Sequence, residues 1–173
     1  WAAPAPDFTV TTSDGQQRRL YADYVNQKKL VVIEAFFTTC PPCNAHAPYW
    51  QTLYTQMLAA HPGKVEFLML STQNFDKNTN VATYKTNKGL TMPAAGQDGG
   101  SIAALTPYIN GQFGNFLGTP TFIVIAPSTG EVVFDVRGST AQNTMALLTS
   151  KINELLVERC DIKDFFGNPI PQV

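Results

Sequence analysis

The sequence predicts an α/β domain in which helices flank both faces of a mixed central sheet. Three observations lead to this fold class. Two nearly continuous apolar segments, 30–37 and 65–71, are typical of strands buried on both faces. Helical periodicity follows the first segment and returns near the C-terminus, and residues 121–136 have the pattern of a β-hairpin. Two βα crossovers followed by an antiparallel hairpin give a sheet with both strand directions.

The composition is that of one compact domain, which we expect to span residues 1–173. Hydrophobic residues make up 44% of the chain and charged residues only 14%, which argues against disorder. The net charge of -1 gives no reason to expect nucleic acid or an anionic membrane as a partner. No apolar segment approaches the roughly 20 residues that are needed to cross a bilayer.

Residues 1–28 are predicted to form an N-terminal extension. Phe8 and Val10 alternate with polar residues and precede a Ser-Asp-Gly turn at 13–15, which indicates a short hairpin over one edge of the domain. The apolar and aromatic residues of the segment 20–24 indicate a brief helix after this hairpin.

The first buried strand, Leu30–Phe37, contains one residue that does not fit its apolar character. Glu34 places a carboxyl group inside the strand, and a buried carboxylate is costly unless it is paired, protonated or used in chemistry. Glu34 is therefore a candidate functional residue. A core carboxyl that is hydrogen-bonded for structure is the alternative.

A helix is predicted from Pro41 and Pro42 to about Ala60. Prolines fit the first turn of a helix, because the N–H groups that they lack need no partner there. Pro48 lies inside the helix and is expected to kink it. Several apolar residues recur at helical spacing and are expected to face the core: Trp50, Leu53, Tyr54, Met57 and Leu58.

Residues 73–118 are predicted to be an inserted substructure, because a segment of this length is long for a bare loop. Residues 80–88 favour a helix that ends at Gly89. Ser101 is expected to cap a short helix that stops before Pro107.

The C-terminal part is predicted to contain a hairpin and a helix. Thr121–Ala126 and Glu131–Val136 are short apolar strands joined by a Pro-Ser-Thr-Gly turn, so they should pair antiparallel. The Gly-Ser-Thr sequence at 138–140 is expected to cap a last helix that runs to about Arg159.

Cys40 and Cys43 lie where the first strand is expected to give way to the helix. A C-x-x-C pair at a helix start brings two sulfurs within bonding reach, and the helix dipole favours a thiolate at the first position. The pattern predicts a thiol–disulfide redox centre in which Cys40 is the exposed nucleophile and Cys43 is more buried. The alternatives are an inert pair or half of a zinc site, which would need about four ligands. The third cysteine, Cys160, is interpreted as an idle thiol, and a cross-link between two chains is the alternative.

Pro41 and Pro42 also bear on the direction of the redox reaction. They cannot donate N–H groups to a Cys40 thiolate, and no His or Lys stands between the cysteines. We therefore expect the thiol pKa to be less depressed than in a strongly oxidising enzyme. This predicts a moderate to weak oxidant that works mainly as a reductant or isomerase.

Taken in order, these residues resemble the thioredoxin fold over residues 5–158. Glu34 stands six positions before Cys40, where thioredoxins carry a buried acid, and Pro48 stands five positions after Cys43, where they carry a proline. The Gly-Thr-Pro sequence before the third strand looks like the cis-proline loop of that fold.

Within that superfamily the chain is similar to the exported redoxin branch of the TlpA, ResA and CcmG type. These proteins begin with an Ala-Pro-x-Phe sequence and an Asp-Gly hairpin, as residues 5–8 and 14–15 do here. They also carry an insert in the middle of the fold. The insert at 73–118 is longer than usual for the branch, and the tail 160–173 has no counterpart in it.

The resemblance implies a protein-disulfide reductase that cycles a Cys40–Cys43 disulfide, with no other cofactor and no metal. Catalysis would involve the two cysteines and Glu34, which would take the proton from Cys43. The amide and carbonyl of Thr119 would pair with an extended substrate strand. Four residues would bind the substrate: Thr119, Pro120, Pro41 and Pro42.

The resemblance also implies partners and a compartment. Protein thiols and disulfides, such as those of cytochrome c biogenesis, would be the substrates, and an upstream donor such as a membrane redox protein would supply electrons. We expect a monomer that is periplasmic or otherwise exported, with a leader or a membrane anchor removed from its N-terminus.

Two other functions stay open at this point. A thiol peroxidase shares the fold, but its nucleophile usually follows Pro-x-x-x-Thr/Ser-x-x-Cys, and Ile33 and Phe37 occupy the proline and hydroxyl positions here. A copper-binding chaperone would use Cys40, Cys43 and His46 as ligands. The simpler interpretation of His46 is a partly exposed polar residue.

Overall fold

The structure, a computed structural model, describes residues 3–157 and 165–168. Its strands are β1 (Thr9–Thr11), β2 (Gln17–Arg19), β3 (Leu30–Phe36), β4 (Val65–Ser71), β5 (Ala94–Ala95), β6 (Thr121–Ile125) and β7 (Val132–Phe134). Its α-helices are α1 (Pro41–Ala60), α2 (Asn78–Lys88), α3 (Ser101–Ile109) and α4 (Ala141–Leu155). Three short helical segments complete it: Leu20–Tyr24, Val25–Gln27 and Gln97–Gly99.

A five-stranded mixed sheet forms the centre of the fold, with the strand order β5-β4-β3-β6-β7. The β3–β4 and β4–β5 pairs are parallel, and the β3–β6 and β6–β7 pairs are antiparallel. Strands β1 and β2 form the separate N-terminal hairpin that the sequence predicts. The predicted fold class, a mixed sheet flanked by helices, is therefore confirmed.

Strand β3 is the central strand, and all seven of its residues are buried. Its side chains alternate between the two faces of the sheet, as those of any strand do. Val32 and Phe36 pack with α1, α2 and α4 on one face, whereas Ile33 and Ala35 pack with α3 and the N-terminal segment on the other. Glu34 shares the parity of Val32 and Phe36, so it belongs to the α1 face.

Helix α1 begins at the two prolines and ends at Ala60, as predicted. Four of the five residues assigned to its core face are buried: Trp50, Leu53, Tyr54 and Met57. The assignment of Leu58 is wrong, because this side chain is 38% exposed. At 3.6 residues per turn, Leu58 falls about a quarter-turn from the centre of the buried stripe.

The insert contributes to both the sheet and its cover. Helix α2 ends at Gly89, which has the left-handed conformation expected there. Strand β5 was not predicted; its two residues add an edge strand parallel to β4. The predicted end of the next helix is wrong, because α3 continues through Pro107. The carbonyl that Pro107 leaves without a donor belongs to Ala103, an exposed residue, and this exposure lowers the cost.

The prediction that Ser101 caps α3 is wrong, because Ser101 is the first residue of the helix. Its hydroxyl donates instead to the carbonyl oxygen of Ser71 at 2.7 Å. This bond ties the start of α3 to the end of β4, so a contact between distant segments replaces the expected local cap.

The C-terminal hairpin and helix agree with the prediction except at their ends. Strand β7 is shorter than expected, because Asp135 adopts a left-handed conformation with φ of 60° and interrupts it. The Thr140 hydroxyl caps α4 by accepting from the Asn143 amide. Helix α4 ends at Leu155 rather than near Arg159, which lies outside the described residues.

Gly138 allows the segment after β7 to pass close to the first turn of α4. A Cβ atom at this position would lie 2.8 Å from the main-chain atoms of Asn143 and Thr144. Only a residue without a side chain fits there. Across the described residues, no helix is both long and apolar enough to cross a lipid bilayer.

Candidate active site

Cys40 and Cys43 are joined by a disulfide at the N-terminus of α1. Cys40 is the residue before the helix, and its sulfur accepts a hydrogen bond from the Cys43 amide at 3.2 Å. Pro41 and Pro42, which lie between the cysteines and are exposed, have no N–H groups to add. A thiolate on Cys40 would therefore have one main-chain donor within the motif.

The prediction that Cys40 is exposed is wrong for the disulfide form. Cys40 and Cys43 are each only 1% exposed. Thr119 covers the Cys40 sulfur, with its hydroxyl oxygen at 3.1 Å and its carbonyl oxygen at 3.7 Å. The first cysteine is as buried as the second because this loop residue packs directly on it.

The loop that covers the sulfur consists of residues 118–121, called the Thr119 loop below. The Thr119–Pro120 peptide bond is cis. Gly118 has a φ of 101°, which a residue with a side chain rarely adopts. The Thr121 hydroxyl donates to the Gly118 carbonyl at 2.5 Å and closes the loop.

Glu34 is 1% exposed and lies on β3 between Met69 of β4 and Phe122 of β6. Its Oε2 atom has no hydrogen-bond partner among the described residues. Burial therefore raises the pKa of the Glu34 carboxyl well above its ordinary value of 4.5. Cys43 lies in the apolar layer between the sheet and α1, so the carboxyl of raised pKa and the second cysteine are on the same face of the sheet.

Asp76 is a site residue that the sequence reasoning missed. It is 1% exposed, and its carboxylate accepts from the Thr38 amide at 2.9 Å, the Thr38 hydroxyl at 2.6 Å and the Ser71 hydroxyl at 2.7 Å. These bonds hold the segment between β3 and Cys40 against the end of β4. A signal was available, because parallel strands end at one edge of a sheet and Asp76 follows the second of them closely.

His46 lies on α1 three residues after Cys43, where it contacts Pro42 and Phe122. Its Nδ1 atom lies 2.7 Å from the Pro42 carbonyl oxygen, and its ring is 6.0 Å from that of Phe122. Within 3–157 and 165–168, no group of three or more His, Cys, Asp or Glu side chains is arranged to hold a metal ion. Cys160 lies outside the described residues.

A groove of about 240 Å³ lies between Pro42 of the cysteine motif and the start of α4. The residues that line it include Pro42, His46, Thr119, Pro120 and Arg137. On another side of the motif, the Phe37 and Phe75 rings meet edge to face at 6.2 Å, and Phe75 is 54% exposed. Polypeptide approaching the disulfide would meet these surfaces.

A disulfide at the start of a helix, covered by a proline loop in a thioredoxin-like α/β fold, defines the class of thiol–disulfide oxidoreductases. The family model described as Redoxin matches residues 2–144. The chain therefore belongs to the Redoxin family.

Solved structures share this fold. A thiol:disulfide interchange protein of the thioredoxin family from Chlorobium tepidum is 22% identical, with a TM-score of 0.67 over 88% of this chain and 97% of that one. StoA from Bacillus subtilis is 19% identical, with a TM-score of 0.59 over 86% and 99%. A secreted Mycobacterium tuberculosis disulfide oxidoreductase, homologous to E. coli DsbE, is 23% identical, with a TM-score of 0.60 over 86% and 96%. No curated protein matches the chain.

Replacing Glu34 by Gln should change the pH dependence of stability. At pH values between 4.5 and the raised pKa, the Glu34 carboxyl has released its proton in the unfolded chain but still holds it in the folded protein. The free energy of unfolding of the wild type therefore falls as the pH rises through this window. In this pH window, the free energy of unfolding of Glu34→Gln should rise relative to that of the wild type by about 1.4 kcal/mol per pH unit. Below pH 4.5 the difference between the two proteins should not change with pH.

Urea unfolding of the oxidised proteins at several pH values, from about 4 to 8, measures this difference. Glu131→Gln is the matched control, because Glu131 is an exposed residue and should give a difference that is nearly independent of pH. If the difference in free energy of unfolding between Glu34→Gln and the wild type were also independent of pH, Glu34 would ionise normally in the folded protein.

Proposed function

We propose that the protein reduces or isomerises disulfide bonds of other proteins through a mixed disulfide on Cys40. The observation that carries this proposal is the disulfide at the α1 N-terminus, packed against Thr119. In the reduced protein, the Cys40 thiolate attacks a substrate disulfide; a bond forms between Cys40 and one substrate sulfur, and the other sulfur leaves as a thiolate. Cys43 then attacks Cys40, which closes the protein disulfide and releases the second substrate thiol.

Glu34 is proposed as the proton acceptor for Cys43. A thiol must lose its proton to attack, and burial disfavours a thiolate at Cys43. The raised pKa of the Glu34 carboxyl brings its proton affinity closer to that of a thiol, which suits general base catalysis. The unpartnered Oε2 atom supports this role over a purely structural one.

The Thr119 loop and the exposed prolines are proposed as the substrate-binding surface. An extended substrate strand would pair with the main chain of Thr119 and bring its disulfide to Cys40. Pro41 and Pro42 lie exposed between the cysteines, so they would contact the same strand. Because the Cys40 sulfur is covered in the disulfide form, we further propose that this loop shifts when a partner dithiol attacks.

We also propose an exported, monomeric protein that works in an oxidising compartment such as the periplasm. The similar M. tuberculosis protein is described as secreted, which supports this location. Disulfides formed during cytochrome c biogenesis are one substrate class for such an enzyme. Its turnover requires an upstream dithiol donor, such as a membrane redox protein, that returns Cys40 and Cys43 to thiols.

Wild-type protein should accelerate the reduction of insulin disulfides when dithiothreitol supplies the electrons. Cys40→Ser should abolish the acceleration, and Cys43→Ala should trap Cys40 in a mixed disulfide that non-reducing gels detect. Cys160→Ser is the matched control and should retain wild-type activity. A wild type that leaves insulin reduction unchanged but consumes hydrogen peroxide would instead favour the thiol peroxidase function.

Glu34→Gln should slow the attack of Cys43 on the mixed disulfide and leave the formation of that mixed disulfide unaffected. The amide cannot accept the proton of Cys43, so we expect release of the substrate thiol to fall by about 10²-fold or more, whereas formation of the Cys40 mixed disulfide stays near the wild-type rate. Stopped-flow mixing followed by acid quench separates the two steps. Equal rates of release in variant and wild type would remove Glu34 from the mechanism.

The protein should be a weaker oxidant than enzymes whose first thiolate is strongly stabilised. Cys40 has one main-chain donor within the motif and no charged residue between the cysteines, so its thiol pKa should lie above about 5. The reduction potential should be more negative than about -120 mV. Iodoacetamide alkylation against pH and equilibration with glutathione measure the two quantities; a pKa below about 5 with a potential near -120 mV would indicate an oxidase.

A further inference from the structure

Arg137 reaches back from the segment after β7 to the loop that covers the disulfide. Its Nη2 atom donates to the Pro120 carbonyl at 3.4 Å and to the Thr121 hydroxyl at 3.3 Å. These two residues complete the Thr119 loop on its C-terminal side. Arg137 is therefore bonded to the loop and also lines the groove between Pro42 and the start of α4.

The Thr121 hydroxyl links Arg137 to the other side of the same loop. Thr121 is fully buried, and its oxygen donates to the Gly118 carbonyl at 2.5 Å while accepting from Arg137. Hydrogen bonds thus reach the residues on both sides of Thr119. Thr119 itself is the residue in contact with the Cys40 sulfur.

Asp135 holds the guanidinium in place. Its two carboxylate oxygens accept from Arg137 Nε at 3.0 and 3.1 Å, and Nη2 lies 2.9 Å from Oδ1. The Asp135 side chain is only 13% exposed, against 40% for Arg137, so the more buried partner anchors the more exposed one. The left-handed conformation of Asp135 interrupts β7, and the chain then continues beside β6, where the Val136 amide donates to the Phe122 carbonyl at 3.0 Å.

We propose that Arg137, anchored by Asp135 and acting through Thr121, is a positioning residue that sets the Thr119 main chain for pairing with a polypeptide substrate. This inference rests on the proposed function, in which Thr119 binds the strand that carries the substrate disulfide. A small displacement of a binding element can cost a large factor in rate, because the reacting sulfurs must be aligned. A disulfide without peptide bonds has no strand to pair, so it is insensitive to this alignment.

The test compares two oxidants of the fully reduced protein. One is a peptide with a single internal disulfide and extended flanks, and the other is 2-hydroxyethyl disulfide. In both reactions the Cys40 thiolate attacks one sulfur and displaces the other as a thiolate, so the chemistry is the same. The second-order rate constant with the peptide, divided by that with 2-hydroxyethyl disulfide, measures the contribution of strand pairing to the rate.

Arg137→Gln should lower this ratio by about tenfold, through the peptide reaction, because a charge-assisted hydrogen bond to the loop is lost. The rate with 2-hydroxyethyl disulfide should change by less than about twofold. Arg137→Lys should behave like Arg137→Gln, since one ammonium group cannot reproduce the forked contacts to Asp135 and Pro120. Asp135→Asn, which keeps a residue tolerant of the left-handed conformation, should give a smaller decrease.

Thr121→Val and Thr121→Ser test the link inside the loop. Valine has nearly the same shape but no hydroxyl, so it should lower the ratio, whereas serine keeps the hydroxyl and should restore it. Arg19→Gln is the matched control, because Arg19 is also a surface arginine paired with an aspartate, Asp23, at 2.8 Å. It should leave the ratio within about twofold of the wild type.

Each outcome separates this inference from the proposed function. A wild type that does not react with the peptide at all would overturn the proposed function. A reactive wild type whose ratio is unchanged in Arg137→Gln and Thr121→Val would overturn only the positioning role, as would equal losses with both oxidants, which indicate general destabilisation. If Arg137→Gln fails to fold, the serine and valine pair at Thr121 decides the question.

Discussion

The contact between the Cys40 sulfur and Thr119 joins two segments that lie 79 positions apart in the sequence. The antiparallel pairing of β3 with β6 creates this contact, because Ala35, near the end of β3, lies opposite Thr121, the first residue of β6. The segment that leaves β3 must therefore meet the segment that enters β6. The disulfide itself is local, but the loop that covers it and the groove that this loop lines both depend on this strand pairing.

The parallel pairing of β3 with β4 adds a third segment at the same edge of the sheet. Phe36 lies opposite Ser71, so the chain that follows each strand emerges beside the other. Asp76 uses this proximity to bond Thr38 and Ser71. The cysteine motif is thus supported by the segment after β4 on one side and by the Thr119 loop on the other, and the insert supplies the first of these supports.

Burial opposes the ionisation of both the cysteine thiols and the Glu34 carboxyl. A disulfide carries no charge, so it is stable in the apolar layer that holds Cys40 and Cys43. After reduction, a thiolate in that layer needs donors, and the Cys43 amide is the one that the motif supplies. At Glu34, burial raises the pKa of the carboxyl, because its Oε2 atom has no hydrogen-bond partner among the described residues to stabilise a charge.

Local chemistry along the chain determined the central elements of this protein. Apolar continuity indicated β3 and β4, and two prolines after a cysteine indicated both the start of α1 and the redox pair. These features depend on neighbours within a few residues, so sequence patterns carry them. The tertiary structure alone decided that Cys40 is covered and that Arg137 bonds the loop over it, whereas the bonds of Asp76 to Thr38 and Ser71 follow from the parallel pairing of β3 with β4. Such contacts join residues whose proximity follows from strand order, and no local periodicity contains that order.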